Sequence, residues 1–259
     1  MFKLQKNDKL FFKEKGYIIK NDLVNNKKFI ELAIKFKQEL FKVENFFLLS
    51  ELGGYKSGNL NIDPGKFGSD FLNLLYKFNF DKLLSEIISE DIRKYDIHFG
   101  GNLNLNNSKK QIFHTDGKWD PRMLVVNIAT TDITNLNGPT ELLEKSHKNE
   151  IPYWKFVLKK KSFNSVKATM KVGEILIREH RLWHRGTENR SNIPREMIGI
   201  MFIKKNFLFK KTVNKHKKNI KIFSNMYGLT KKEKIKEFIF LFFPILLIIF
   251  KILISIRKK

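Results

Sequence analysis

The chain contains no cysteine. Disulfides, thiolate metal ligands and cysteine nucleophiles are therefore excluded, and any metal must be held by histidine and carboxylate. Histidine is scarce too, with 6 in the chain, so the roll of possible imidazole ligands is short. Also lacking is an amino-terminal apolar stretch: MFKLQKNDKLFFKEKG has no h-region of the length a secretory signal needs. The main domain is expected to stay in the cytoplasm. Acidic residues are outnumbered, 26 against 50 Lys and Arg, for a formal charge of +24. Such an excess ordinarily points to nucleic acid or an anionic membrane. No helix-turn-helix, zinc finger or RNA-binding sheet signature accompanies it, and Lys, Asn, Ile and Phe are abundant together, as an AT-rich coding bias makes them. Nucleic acid is not an expected partner.

What is present suffices for one sizeable core plus appendages, since 42% of 259 residues are hydrophobic. FIELAIKFKQELFKVENFFLL, residues 29–49, repeats apolar residues at three- and four-residue spacing and predicts an amphipathic helix. A second helix is expected over 69–88, broken near Asn79. From Tyr95 the pattern changes to short β-like runs, YDIHF, QIFHTD, MLVVNIAT, VGEILIR and MIGIMFI. Helices first and strands afterwards predict a mainly β (α+β) barrel or sandwich under a helical cover. The domain is set at 1–209, with the cover at about 22–92 and the barrel at about 95–205.

Residues 210–236 read as a basic linker and 237–259 as a hydrophobic carboxyl-terminal helix. FIFLFFPILLIIFKILISI, 238–256, spans about 28 Å as a helix, close to a bilayer core of about 30 Å. Lys251 can snorkel from its far end. Lys231, Lys232, Lys234 and Lys236 precede it, so the positive-inside tendency places the domain on the cytoplasmic side of a membrane, anchored by its carboxyl terminus. Pro244 and Lys251 leave an in-plane helix open, and a buried core helix is the competing reading.

The chemistry starts from FHTDGKW, residues 113–119. On a strand, His114 and Asp116 project from one face, and an imidazole beside a carboxylate can hold a metal. The pair alone is weak. GEILIREHRLWHRGTENRSNIPR, 173–195, offers a third ligand, with His180 and His184 competing; spacing does not choose between them. The run after His184 favours it, because Arg195 follows eleven residues on at the start of an apolar strand. Two histidines and one carboxylate leave one face of a metal open, as in non-haem Fe(II) oxygenases. A keto acid chelated there presents a second carboxylate, which a guanidinium receives bidentately. Arg178, Arg181, Arg185, Arg190 and Arg195 also crowd into 18 residues of a chain that otherwise prefers Lys. One serves the keto acid; the others are a solvated face or receive an anionic handle on the substrate. His98, His147, His180 and His216, with Trp119 and Trp183, are read as structural residues.

These elements resemble the phytanoyl-CoA dioxygenase-like Fe(II)/2-oxoglutarate oxygenases over residues 10–205. The similar segments are His114 and Asp116, GPTELLEKSHK at 138–148, Gly173, His184, Asn189, Ser191 and Arg195, with GYIIKNDL as the opening segment. The resemblance implies a double-stranded β-helix (jelly-roll, cupin-like) barrel. It implies Fe(II) on His114, Asp116 and His184, 2-oxoglutarate and dioxygen as co-substrates, and Arg195, Thr187 and Ser191 as 2-oxoglutarate contacts. Glu144-Lys145 stands where the family has Pro-Gly, so that turn is expected to be built differently. Gly186 stands where a hydroxyl is common, leaving Thr187 to supply it. Because Asp116 is present, hydroxylation is implied and not halogenation, on a small-molecule, acyl or lipid-linked substrate at a membrane surface. The alternatives are a metal-dependent cupin-type enzyme that does not use 2-oxoglutarate, and a basic membrane-surface binding protein with a degenerate site.

Overall fold

The computed structural model describes residues 1–42, 58–117, 122–205, 219–224 and 235. Short helix α1 (Asp8–Lys15) ends at Gly16, whose φ of 88° is left-handed, and passes directly into β1 (Tyr17–Lys20). Helix α2 (Lys27–Leu40) begins where the Asn26 side chain accepts from the Phe29 amide. Its buried stripe is Phe29, Ala33, Phe36 and Leu40, the expected amphipathic face. The helix expected over 29–49 thus starts two residues earlier and stops at Leu40; 43–49 lie outside the described residues. The second expected helix is two, α3 (Lys66–Tyr76) and α4 (Phe80–Ile88), separated at Asn79, whose φ of 64° ends helical geometry.

The strands are β2 (Asn59–Asp63), β3 (Tyr95–Asn104), β4 (Met123–Ala129), β5 (Thr140–Leu143), β6 (Ser165–Ala168), β7 (Ile175–Glu179), β8 (His184–Gly186), β9 (Arg195–Lys204) and β10 (Lys221–Ser224). A seven-stranded antiparallel sheet runs β1-β7-β4-β9-β3-β2-β10, and a smaller one runs β6-β5-β8. Three expectations change. Strand β2 joins the sheet from the part of the chain read as helical cover, and β1 joins it from the segment before that cover. The basic linker contributes β10, an edge strand on β2. QIFHTD forms no regular strand: His114 makes a single bridge to His184, although the Gln111 amide also donates to the Gly186 carbonyl. The rest of the linker, and the hydrophobic segment 238–256, lie outside the described residues. Among the described residues no helix is long and apolar enough to cross a membrane.

Period-two alternation gives the large sheet two different faces. Leu60, Leu103, Val126, Ile177, Ile198 and Phe202 pack with the helical residues Phe29, Phe36, Phe71 and Leu84 in one apolar layer. Each such side chain, fully buried, contributes roughly 1.5–3 kcal/mol of transfer free energy. The opposite face meets the small sheet. Short helix α5 (Tyr153–Lys159) covers the small sheet's outer side, where the Phe156 ring stacks on Trp183 at 3.7 Å.

Candidate metal centre

Between the two sheets lies a cavity of about 100 Å³, and the residues around it come from seven strands, β2 contributing Asn61. Strand β8 supplies His184 and Gly186, β5 Thr140, β9 Arg195 and Met197, β3 Asn102 and Asn104, β4 Asn127, and β7 Arg178; the segment 111–116 adds Gln111, His114 and Asp116.

His114 and His184 are brought together by reciprocal backbone bonds, each amide donating to the other's carbonyl at 2.9 and 3.0 Å. Their ring centroids stand 4.4 Å apart. Asp116 arrives because the chain bends after Thr115, with its amide donating to the His180 carbonyl. The ligating atoms of His114, Asp116 and His184 lie within 4.8 Å of one another. In both imidazoles Nδ1 faces a carbonyl, that of Ile112 for His114 and that of Leu182 for His184, each at 2.9 Å. This fixes the Nδ1–H tautomer and makes Nε2 the ligating nitrogen. His184 Nε2 is 3.6 Å from Asp116 Oδ1.

Electrostatics favour ligation. Burial lowers the pKa of both imidazoles, and for His184 the nearby Arg178 lowers it further, so both are neutral at neutral pH. Burial opposes ionisation of Asp116, but the Arg178 guanidinium overrides it and holds the carboxyl well below its usual range. Two neutral imidazoles and a carboxylate around one point, with a cavity on the other side, suit Fe(II).

Arg195, 1% exposed, lines the same cavity. Its Nη2 donates to the Gly138 carbonyl at 2.6 Å, whereas Nε and Nη1 are buried without a partner. Gly138 has a φ of 84°, and a Cβ there would lie 2.9 Å from the Asn104 amide, so glycine is required where this carbonyl turns toward the guanidinium. Burial brings the Arg195 pKa down to about 10, still charged at neutral pH. A buried cation with two idle donors is an anion receiver.

The other expected 2-oxoglutarate contacts are not brought to this cavity. The Thr187 hydroxyl donates to the Pro139 carbonyl at 2.8 Å, and the Ser191 hydroxyl is occupied by Asn189 Oδ1 and the Ile193 carbonyl in a turn. His180 is fully buried, with Nδ1 against the Met123 backbone, so of the two competing histidines His184 is the one that joins His114 and Asp116. Buried His147 faces the Lys13 carbonyl, away from the triad, and His98 is half-buried on the cavity-side face of β3. His216 and Trp119 lie outside the described residues. The Glu144-Lys145 turn is built around a left-handed Lys145, φ 67°, while Glu144 is held by Lys15, Tyr17 and Asn164.

Sequence reasoning missed Asn102, Asn104, Gln111, Asn127 and Thr140, and left Arg178 unassigned. A signal existed: Asn127 and Arg178 are single polar residues inside the apolar runs MLVVNIA and ILIRE. Polar groups in buried strands have partners or face a cavity.

Fold and site together define a class, the Fe(II)/2-oxoglutarate-dependent oxygenases. Residues 98–197 match the phytanoyl-CoA dioxygenase family model, so this chain carries a domain of the phytanoyl-CoA dioxygenase-like kind, with Fe(II) and 2-oxoglutarate as its cofactors. Solved structures share the fold. SnoK, a non-haem α-ketoglutarate-dependent carbocyclase from nogalamycin biosynthesis, aligns at TM-score 0.60 with 14% identity, over 78% of this chain and 84% of its own. EvdO2 from Micromonospora carbonacea var. aurantiaca, complexed with 2-oxoglutarate, aligns at 0.59 with 11% identity, over 82% and 96%. EctD from S. alaskensis with bound Fe aligns at 0.58 with 14% identity, over 77% and 76%.

Proposed function

We propose that the protein hydroxylates a small molecule, with His114, Asp116 and His184 as the metal ligands and Arg195 as the receiver of the distal carboxylate of 2-oxoglutarate. The observation that carries this is the pairing, in one cavity, of a neutral-His/Asp triad with a buried guanidinium that keeps two donors unused. Fe(II), with 2-oxoglutarate and dioxygen, supplies the oxidising chemistry when bound. The protein's part is to hold and orient. The two Nδ1–H bonds aim the imidazoles, Arg195 fixes the keto acid at its far end, and the two sheets exclude water from the space between. Asp116 occupies the position that a halide needs, which favours hydroxylation.

The described cavity wall is rich in amides, Asn61, Asn102, Asn104, Gln111 and Asn127, with Met197 as its apolar member. Gly100 and Gly199 face each other across β3 and β9, where a Cβ on either would make only ordinary contacts. The amides favour a substrate that presents hydrogen-bonding groups near the reacting carbon. Placement on the cytoplasmic side of a membrane, with 237–259 as anchor and 210–236 as basic linker, is proposed from the sequence. Sedimentation of the full-length chain with vesicles of anionic lipid tests it, and recovery in the supernatant removes it.

The test of the activity is anaerobic addition of Fe(II) and then 2-oxoglutarate, followed by air. A visible charge-transfer band and dioxygen-dependent succinate are expected. Metal binding without succinate, across a panel of polar and acyl substrates, favours the cupin-type alternative; absence of metal binding favours a binding protein.

A further inference from the structure

Arg178 is the penultimate residue of β7, after the buried aliphatic residues Leu176 and Ile177, and it is itself 5% exposed. Its side chain is nonetheless engaged at two points and stands beside a third group, the protonated Nδ1 of His184, which does not accept from it. Nε donates to Asn127 Oδ1 at 3.0 Å, Nη2 reaches Asp116 Oδ2 at 2.5 Å, and Nη1 lies 3.4 Å from Nδ1 of His184. Asn127 is 4% exposed on the neighbouring strand β4, so the guanidinium plane is anchored on the sheet before it meets the carboxylate. The two oxygens of Asp116 are thereby made unequal. Oδ1 is the one beside His184 Nε2, and Oδ2 is held by the guanidinium.

We propose that Arg178, braced by Asn127, is a positioning residue that restricts Asp116 to one-oxygen ligation and so keeps the coordination face opposite the triad open. The inference rests on the reading of His114, Asp116 and His184 as a metal centre. Its physical basis is that a carboxylate with both oxygens free can occupy two adjacent positions on a cation, whereas one bound through a charge-assisted hydrogen bond at its second oxygen offers one. A buried cation beside a divalent metal site is unfavourable for metal binding and for folding alike. Packing does not call for it, because an aliphatic side chain would suit this strand. Sequestering Oδ2 is the effect that the geometry assigns to it. A second consequence is electrostatic: Arg178 and Arg195 both line the cavity, which suits the dianionic keto acid.

The experiment uses the full chain loaded with Co(II), a visible-absorbing stand-in for Fe(II), in wild type, Arg178→Met, Arg178→Lys and Asn127→Leu. It reads the ligand-field spectrum, the Co(II) affinity and the 2-oxoglutarate affinity, with circular dichroism as the check on folding. Arg178→Met is expected to bind Co(II) at least as tightly as wild type, because the repelling charge is gone. It should show an altered Co(II) spectrum and bind 2-oxoglutarate about tenfold or more weakly. Arg178→Lys should restore part of the spectrum, and Asn127→Leu should shift it in the same direction as Arg178→Met by less. An unaltered spectrum and unaltered 2-oxoglutarate affinity in Arg178→Met overturn the proposal; if that variant does not fold, an unaltered Asn127→Leu does so. A wild-type protein that binds no Co(II) overturns the metal reading and this inference together, so the two failures are told apart.

Discussion

Along β9, Ile198, Ile200 and Phe202 enter the apolar layer under the helices, whereas Arg195 and Met197 line the cavity. The same division runs through the sheet. Val126 and Ile128 face the helices while Asn127 faces the cavity, and Ile177 faces the helices while Arg178 faces the cavity. One face is selected for transfer free energy and packing, the other for hydrogen-bonding capacity at fixed positions. A rigid backbone shared by both allows a polar site to stay ordered, because the apolar face supplies the stability that the polar face does not. Glu196 is the exception: it lies buried in the register of the helix-packed face with neither carboxylate oxygen partnered, and burial pushes its pKa up.

Substitution on the two faces should therefore separate function from stability. The largest effect is expected for Asp116→Ala or His184→Ala. Each should lose Fe(II) binding by more than the roughly 100-fold ceiling usual for outer-shell partners, with succinate formation abolished; Asp116→Ala should also lower the melting temperature of the metal-free protein, because it leaves the buried Arg178 without its carboxylate, whereas His184→Ala should lower it less. Metal content after gel filtration and a thermal melt check this. Next is Phe71→Ala on the helix-packed face, where a fully buried ring contacts Phe29 and Phe36. A cost of about 3–5 kcal/mol is expected in denaturant unfolding. The fraction that remains folded should bind 2-oxoglutarate normally, and a large change in that affinity would break the two-face division.

Arg195→Lys tests the cavity face more gently. It keeps the charge and loses the fork, so 2-oxoglutarate affinity should fall about tenfold, with metal affinity retained. In titration calorimetry an unchanged keto-acid affinity would remove this assignment. The smallest effect concerns Glu196. Its folded-state pKa is raised above the unfolded value, so the folded state holds the proton more tightly, and stability declines as pH rises through the folded pKa. Glu196→Met should flatten that decline and raise stability at alkaline pH relative to wild type. Melting temperatures from pH 5 to 9 report the slope, and parallel curves for the two proteins would show that the group is satisfied after all.

Much of this architecture is legible in the amino-acid sequence. The apolar stripe of α2, the break at Asn79 and the strands around MLVVNIAT and MIGIMFI follow from local periodicity, which is a property of neighbouring residues. The extents of elements are less so. Leu40 ends a helix whose periodic pattern continues, and QIFHTD alternates like a strand although its backbone makes only isolated pairings. Whether a β-like run becomes a strand depends on a partner far away in sequence.

The sequence by itself determined the ligand types, since without cysteine a metal has only histidine and carboxylate to bind, and it put Arg195 at the start of an apolar strand. Tertiary structure decided between His180 and His184. Both follow β7, but the cross-strand bonds to His114 direct His184 to the centre, while the Met123 backbone takes the ring of His180. It also decided the parts of Thr187, Ser191 and Arg178. The two hydroxyls find backbone or amide acceptors nearby, and the arginine finds Asp116 across 62 residues of chain. The physical reason is the same in each case. A short-range pattern fixes which face a side chain takes, but only the pairing of distant strands fixes what that face looks at.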